Sequence, residues 1–281
     1  MVSISIIIPT RNERRNIERL LTSIAADPHP PREVIVVDNH STDKTREIAR
    51  RTWNQHLPKK LKSYQLRPKK LMILTKGPER SFQKNAGAHQ AKGSHLLFLD
   101  ADMEIKPGLL SELASLVTKK VQAAVIPEHP IGSDFWSKAT ALERTCYQGN
   151  ELLEAPRFIE KRVFQAVGGY DPSLIAGEDW DLDERLQKQG VEIVHTTHPL
   201  LHHEVRGFLP NLKRKWYYTE HIGRYAAAHP RRFARLSGMS RLKIYGKNRD
   251  VLIRHPLLTV AFMVLKVVIY LKWQLTLHIR E

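Results

Sequence analysis

Apolar residues fall along the first half of the chain in short unbroken runs, separated by segments in which they recur every three or four positions. Ile4–Ile8, Val34–Val37, Leu71–Leu74 and Leu96–Leu99 are runs of the first kind. Runs of that length, bounded by polar and turn-forming residues, read as strands buried on both faces. Asn16–Ala26 is of the second kind, with Ile17, Leu20, Leu21 and Ile24 at helical spacing. Further helices are predicted over about 44–53 and over Gln83–Ala91, the latter closed by Gly93. Pro107 opens another helix, where its missing N–H is no loss. Residues 54–70, basic and with two prolines, read as a surface loop. Later, 177–189 is predicted helical with Gly190 past its end, and Val191–Thr196 is strand-like. The alternation predicts an α/β fold whose mostly parallel, Rossmann-like sheet is flanked by helices. Ligands of such sheets bind beyond the carboxyl ends of the strands. Polar residues stand there: Thr10-Arg11-Asn12-Glu13, Asp38 and Asp100-Ala101-Asp102.

Composition changes this picture mainly at the C-terminal end. Of 281 residues 42% are hydrophobic, enough to bury a core, and Cys146 is the single cysteine. A disulfide framework and a thiolate-rich zinc site are therefore excluded. The net charge is +16, but residues 205–281 hold 16 Lys and Arg against only Glu220, Asp250 and Glu281. The expected organisation is an enzyme-like domain over 1–204 and a basic, helical region over 205–281. Clusters such as Lys213-Arg214-Lys215 and Arg231-Arg232 suit phosphates, or form a solvated helix surface. The segment from Pro256 to Trp273 is apolar but interrupted by Lys266 and Lys272, which makes a poor membrane span. Thr259, Lys266, Tyr270 and Gln274 fall roughly on one side of a helix, although Lys272 does not. That suits a helix in a membrane interface, with snorkelling lysines and Trp273 at headgroup level. Packing against the rest of the chain is the alternative. A basic segment followed by an apolar one favours an anionic membrane surface over nucleic acid, for which no aromatic motif or zinc-finger spacing is present. The N-terminal stretch lacks the features of a secretory signal, so the expected location is the cytoplasmic face of a membrane.

The candidate chemistry is carboxylate chemistry. Asp100 and Asp102, at i and i+2 after an apolar strand, can both reach one hard cation, Mg²⁺ or Mn²⁺, that bridges to substrate phosphates. A polar exit from the strand explains the same pair. In Gly177-Glu178-Asp179-Trp180-Asp181-Leu182-Asp183-Glu184-Arg185, the last three acids suit a first helical turn and an Asp181/Arg185 pair. Glu178 and Asp179 are less well explained that way, and a carboxylate held there can take a proton from a hydroxyl. His202 could complete a metal's ligand set or contact a diphosphate. Lys84, near a helix start, could meet phosphate oxygens. Neither GxGxxG nor GxxxxGK[ST] occurs, which removes the main support for dinucleotide and P-loop readings.

Six pieces of the sequence, in order, carry a resemblance. They are Ile6-Ile-Ile-Pro-Thr-Arg-Asn-Glu13, Val36-Val-Asp-Asn-His-Ser-Thr-Asp43, Lys84-Asn-Ala-Gly87 with Ala91-Lys-Gly93, Phe98-Leu-Asp-Ala-Asp102, Gly168-Gly-Tyr-Asp171 and Gly177-Glu-Asp179. The chain resembles the family 2 glycosyltransferases of the GT-A fold over about residues 3–204. The resemblance implies a nucleotide-sugar donor and inversion at the anomeric carbon. It implies that Pro9, Thr10, Arg11 and Glu13 border the nucleoside, that Asp38 contacts the base, and that Lys84 lies near the diphosphate. Asp102 would be the main metal contact, Asp100 would assist at ribose or metal, and Asp179 would be the catalytic base. Two positions depart from the family pattern. Asp38-Asn39-His40 replaces Asp-Asp-Gly, and Lys84 stands where Arg is frequent, keeping the charge without the fork. The Glu178-Asp179 pair suggests a hydroxyl acceptor, and the basic, apolar tail places that hydroxyl on a lipid-linked saccharide in this expectation. Two other readings are a polyprenyl-phosphate acceptor, which is already an anion and needs no strong base, and a nucleic-acid-binding protein using the basic tail. The latter leaves the ordered acidic motifs without a purpose.

Overall fold

The computed structural model describes residues 3–56, 70–235 and 238–278, with side chains up to Leu271. The loop expected over 54–70 falls mostly outside these residues, as do the side chains of Lys272, Trp273 and Gln274. The elements run β1 (Ile4–Thr10), α1 (Ile17–Ala26), β2 (Glu33–Asp38), α2 (Thr45–His56), β3 (Leu71–Thr75), α3 (Arg80–Gln90), β4 (His95–Phe98), β5 (Met103–Ile105) and α4 (Leu109–Thr118). There follow β6 (Ala123–Val125), β7 (Glu128–Ile131), α5 (Phe135–Thr145), β8 (Phe158–Glu160), α6 (Lys161–Ala166), α7 (Glu178–Lys188), β9 (Ile193–His195) and β10 (Leu200–His203). The remainder is helical: α8 (Phe208–Ala228), α9 (Pro230–Arg235), α10 (Gly238–Lys247), α11 (Arg249–Arg254) and α12 (Pro256–His278).

The chain divides into two compact units. The first comprises Met1–Glu128, Ala155–Pro172 and Asp181–Leu201; the second comprises His129–Glu154, Ser173–Trp180 and His202–Glu281. The C-terminal helices thus share a unit with α5 and with the segment leading into α7.

The first unit is built on a seven-stranded sheet in the order β3-β2-β1-β4-β8-β6-β9. β1 pairs in parallel with β2 and β4, β2 with β3, and β6 with β9. β8 runs antiparallel to both β4 and β6. The apolar runs are unbroken because both faces are covered. Ile4, Ile6, Ile8, Val34, Val36 and Leu97 belong to one buried cluster with α1 and α4, while Ile7, Ile35, Val37, Leu96 and Phe98 belong to another with α3 and α7. A period of two sends successive side chains to opposite clusters. Gly87 lets α3 lie close on the sheet: a Cβ there would sit 2.5 Å from Ile7 Cγ2. One expectation is corrected. Pro107 does not open α4; Gly108, at φ +98, caps it and the helix begins at Leu109.

The second unit has its own core. Ala139, Leu142 and Cys146 of α5 and its C-terminal end meet Tyr245, Leu252, Ala261 and Phe262. Lys266 corrects the helix-face expectation, because it turns inward and reaches Glu143 at 2.5 Å. The basic cluster is also partly consumed inside the unit. Arg214 pairs with Glu204 at 2.5 Å and Lys215 with Glu143 at 2.6 Å. Among the described residues, no helix is long and apolar enough to cross a membrane.

Candidate active site

β1, β2 and β4 are parallel, so their carboxyl ends lie along one edge of the sheet. Pro9 pairs in register with Val37, and Thr10 with Asp38. Thr10 Oγ1 donates to Asp38 Oδ1 at 3.0 Å. The other Asp38 oxygen accepts from Ser41 N–H at 2.9 Å and has Arg46 Nε at 3.4 Å. Asp38 is thereby fully buried and joins the two strand ends. Gln83, which the sequence pattern did not single out, braces the same point from α3. Its amide donates to Thr10 O at 2.9 Å and to Val37 O at 2.5 Å.

The loops beyond these ends are stitched together by side chains. Asn12 sits in the left-handed region at φ +57, and its Oδ1 accepts from Thr42 N–H at 2.9 Å. Asn12 N–H donates to Ser41 Oγ, and Glu13 N–H to Thr45 Oγ1, both at 2.8 Å. Arg11 is exposed at the tip. Glu13 is pushed up from 4.5 to about 7: burial is the main cause, and the charges of Asp102, Asp100 and Asp43 add to it, against a hydrogen bond from Asn16. Asp100 and Asp102 therefore place their negative charge near Glu13, at the carboxyl edge of the sheet. That concentration of oxygen donors fits a hard divalent cation of the Mg²⁺ type. Such cations take one or two carboxylates and complete their shell with phosphates and water. Among the described residues, no group of three or more His, Cys, Asp or Glu is arranged to hold a metal ion.

Lys84 is fully buried in α3, with Nζ 4.4 Å from the centroid of the Tyr170 ring. Asn85 beside it fixes the loop carrying Tyr170 through two bonds, from Asn85 Nδ2 to Tyr170 O at 2.8 Å and from Tyr170 N–H to Asn85 Oδ1 at 2.9 Å.

Glu178, Asp179 and His202 belong to the second unit. Gly177 takes φ +80 ahead of α7, and a Cβ there would lie 2.6 Å from Tyr225 Cγ. Trp180 donates through Nε1 to Leu153 O at 3.2 Å and packs on the Tyr225 ring. These contacts hold the segment that presents Glu178, which is 3% exposed, and the half-buried Asp179. The Asp181/Arg185 pair is as expected, but the first-turn expectation is corrected: α7 begins at Glu178, so Glu178 and Asp179 stand in its first turn and Asp183 and Glu184 beyond it. Asp181 pairs with Arg185 at 2.5 Å and Glu184 with Lys188 at 3.0 Å, each one helical turn apart. His202 lies buried beside the Arg144 guanidinium, with Nη2 3.2 Å from Nδ1. Arg144 also meets the buried Glu204 at 3.2 Å. Nothing in the spacing of Arg144, Glu204 and Arg214 announced this cluster, because its members are far apart in sequence.

Comparison with known proteins bears on this arrangement. The model of the family described as glycosyl transferase family 2 matches residues 5–170. Glycosyltransferase AglE of Haloferax volcanii is 25% identical over 226 residues, covering 76% of this chain and 70% of AglE. The GalNAc(5)-diNAcBac-PP-undecaprenol beta-1,3-glucosyltransferase of Campylobacter jejuni is 33% identical over 116 residues, covering 40% of this chain and 34% of that enzyme. Several other curated relatives are matched over less than two thirds of their length. Among solved structures, the mannosyltransferase PcManGT of Pyrobaculum calidifontis, in complex with GDP-Man and Mn²⁺, covers 96% of this chain and 86% of its own at 18% identity, with a TM-score of 0.59.

Proposed function

The chain belongs to glycosyl transferase family 2, and from that premise we propose that it is a metal-dependent, inverting glycosyltransferase. It moves a sugar from a nucleotide-sugar to a hydroxyl of a lipid-linked saccharide while bound peripherally to a membrane. The observation that carries the catalytic part is the Asp100-Ala101-Asp102 pair just beyond β4, at the edge where β1 and β2 end in Thr10 and Asp38. Polar groups at the carboxyl edge of a parallel sheet are where this architecture binds nucleotides.

In this reading Pro9, Thr10, Arg11, Glu13 and Asp38 frame the nucleoside. Lys84, held against Tyr170, adds positive charge for the diphosphate. Asp102, with Asp100, holds the cation, which when bound neutralises charge growing on the departing diphosphate. The oxygen-only donor set suits Mg²⁺ or Mn²⁺. Asp179 accepts the proton of the acceptor hydroxyl as it attacks, and Glu178 beside it adds to the local negative charge. Inversion follows from in-line attack opposite the leaving group. His202 has the Arg144 guanidinium beside its ring, a neighbour that disfavours a metal ion on that ring.

The lipid-linked acceptor draws support from the Campylobacter relative, whose name specifies an undecaprenol-linked substrate. Membrane association draws support from α12. Leu257, Val260, Val264, Val267 and Leu271 are 44–74% exposed and form one stripe at helical spacing. Over 14 residues that stripe is about 21 Å long. Exposed Lys243, Lys247, Arg249 and Arg254 precede it, in keeping with anionic headgroups. Calorimetry with UDP- and GDP-sugars, with and without Mn²⁺, tests the catalytic reading. Metal-dependent binding that disappears in Asp102→Ala is expected. Binding that ignores both the metal and Asp102 refutes the metal site.

A further inference from the structure

Among the described residues, β8 alone runs against its neighbours in the seven-stranded sheet, and its direction has a chemical consequence. Antiparallel pairing puts the beginning of β8 at the carboxyl end of β4, beside the candidate site. Leu97 stands opposite Phe158, so the residue before β8, Arg157, stands opposite Phe98. Its backbone is pinned there on both sides. Phe98 N–H donates to Arg157 O at 2.9 Å, and Arg157 N–H donates to Ala124 O at 3.2 Å. The guanidinium spans two carboxylates. Nε and Nη2 meet Glu128 Oε1 at 2.9 and 2.7 Å, and Nη1 meets Asp100 Oδ2 at 3.2 Å. All three side chains are largely buried, at 14%, 21% and 17% exposed.

We infer that Arg157 is a positioning residue for the Asp100-Asp102 pair: clamped by Glu128, it takes one oxygen of Asp100, fixes that carboxylate's orientation, and leaves Asp102 as the main metal contact with the other Asp100 oxygen assisting. The fork is what allows this. A planar guanidinium can hold Glu128 through Nε and Nη2 while Nη1 remains directed at Asp100. The charge matters as well as the geometry. Asp100 and Asp102 stand two residues apart just beyond β4, and a fixed cation beside Asp100 offsets their mutual repulsion before any metal arrives. A side effect follows, because the guanidinium opposes a second cation and occupies an oxygen that could otherwise ligate it. Arg157 therefore trades bare-metal affinity for a defined Asp100. This rests on the reading that the pair binds a divalent cation.

The experiment measures Mn²⁺ binding to the full chain by electron paramagnetic resonance, with the metal alone as probe. Wild type, Asp102→Ala, Arg157→Gln, Arg157→Lys, Asp100→Asn and the Arg157→Gln/Asp100→Asn double variant are compared, each checked for a cooperative thermal transition. Arg157→Gln is expected to bind Mn²⁺ tighter, by about threefold or more, because a positive charge has left and an Asp100 oxygen is free. Arg157→Lys keeps the charge and is expected within about twofold of wild type. The gain shrinks in the Asp100→Asn background, because the part that works through that carboxylate is lost and only the part due to the departed charge remains. A folded Arg157→Gln with unchanged or weaker Mn²⁺ binding overturns the inference, as does an undiminished gain in the double variant. If Arg157→Gln does not fold, Arg157→Lys decides, and a Lys variant far outside twofold overturns it. Wild type that binds no Mn²⁺, or binds it equally in Asp102→Ala, overturns the metal reading itself and this inference with it.

Discussion

Glu143 sits at the centre of the second unit, and replacing it by glutamine tests how much one buried carboxylate contributes there. The side chain is 3% exposed and meets Lys215 Nζ at 2.6 Å and Lys266 Nζ at 2.5 Å, and it accepts from the Tyr147 hydroxyl at 2.8 Å. It thereby ties α5 to α8 and α12. Glu143→Gln keeps the shape and an acceptor oxygen but removes the charge, leaving two ammonium groups against a neutral amide. Breaking a fully buried pair in this way costs about 3–5 kcal/mol. Lys215 and Lys266 are 18% and 31% exposed and so regain hydration. The expected loss is therefore ~2–3 kcal/mol. At roughly 2–4 °C per kcal/mol, Tm falls by about 4–12 °C. The pH dependence gives a second check. Burial opposes ionisation of Glu143, but Lys215 and Lys266 outweigh it and hold the carboxyl well below its usual range. A depressed carboxylate stabilises above its unfolded value of 4.5, and that contribution is lost as pH falls below it. Lys266, Tyr147, Tyr245 and Arg241 stay protonated through this window. Lys266 is lowered by burial, to about 8, while Tyr147 and Tyr245 are raised by burial and Arg241 is raised by Tyr147 and Glu143. Differential scanning calorimetry from pH 7 to 3 should show a gap between wild type and variant that narrows below pH 4.5. A variant within 2 °C of wild type at pH 7, or a gap that does not narrow, refutes the reasoning; the 2 °C limit is about half the smallest expected shift.

Three further outcomes are expected. Asp179→Asn should lower turnover by about 10²-fold or more while leaving donor binding intact in calorimetry; near-normal turnover would instead indicate an acceptor that is already an anion. Val260→Asp combined with Val264→Asp and Val267→Asp should abolish co-sedimentation with vesicles of anionic phospholipid without changing the melting temperature, since these side chains are exposed; retained binding would remove α12 from the membrane reading. Gly177→Ala should destabilise by about 1–3 kcal/mol through its left-handed backbone, with more from the Tyr225 contact, and a denaturant titration with an unchanged midpoint would contradict this.

Much of the first unit was legible in the sequence because its signals are local. A strand buried on both faces must be apolar at every position, so Ile4–Ile8 and Val34–Val37 announced themselves, and the polar residues ending them marked the edge where a ligand belongs. The ordered motifs then identified the family, which the match over residues 5–170 bears out. β6 and β8 are three residues each and escaped the pattern, whereas the equally short β9 sat inside the longer strand-like run Val191–Thr196. What only the tertiary structure decided is which charges face one another. Arg157 lies 57 positions from Asp100, and Lys266 more than a hundred from Glu143. No spacing rule links such pairs, and a lysine inside an apolar run looks the same in sequence whether it snorkels to water or meets a buried carboxylate. Local periodicity therefore sets where strands and helices form, while ion pairs between distant segments are set by the path of the chain around the sheet.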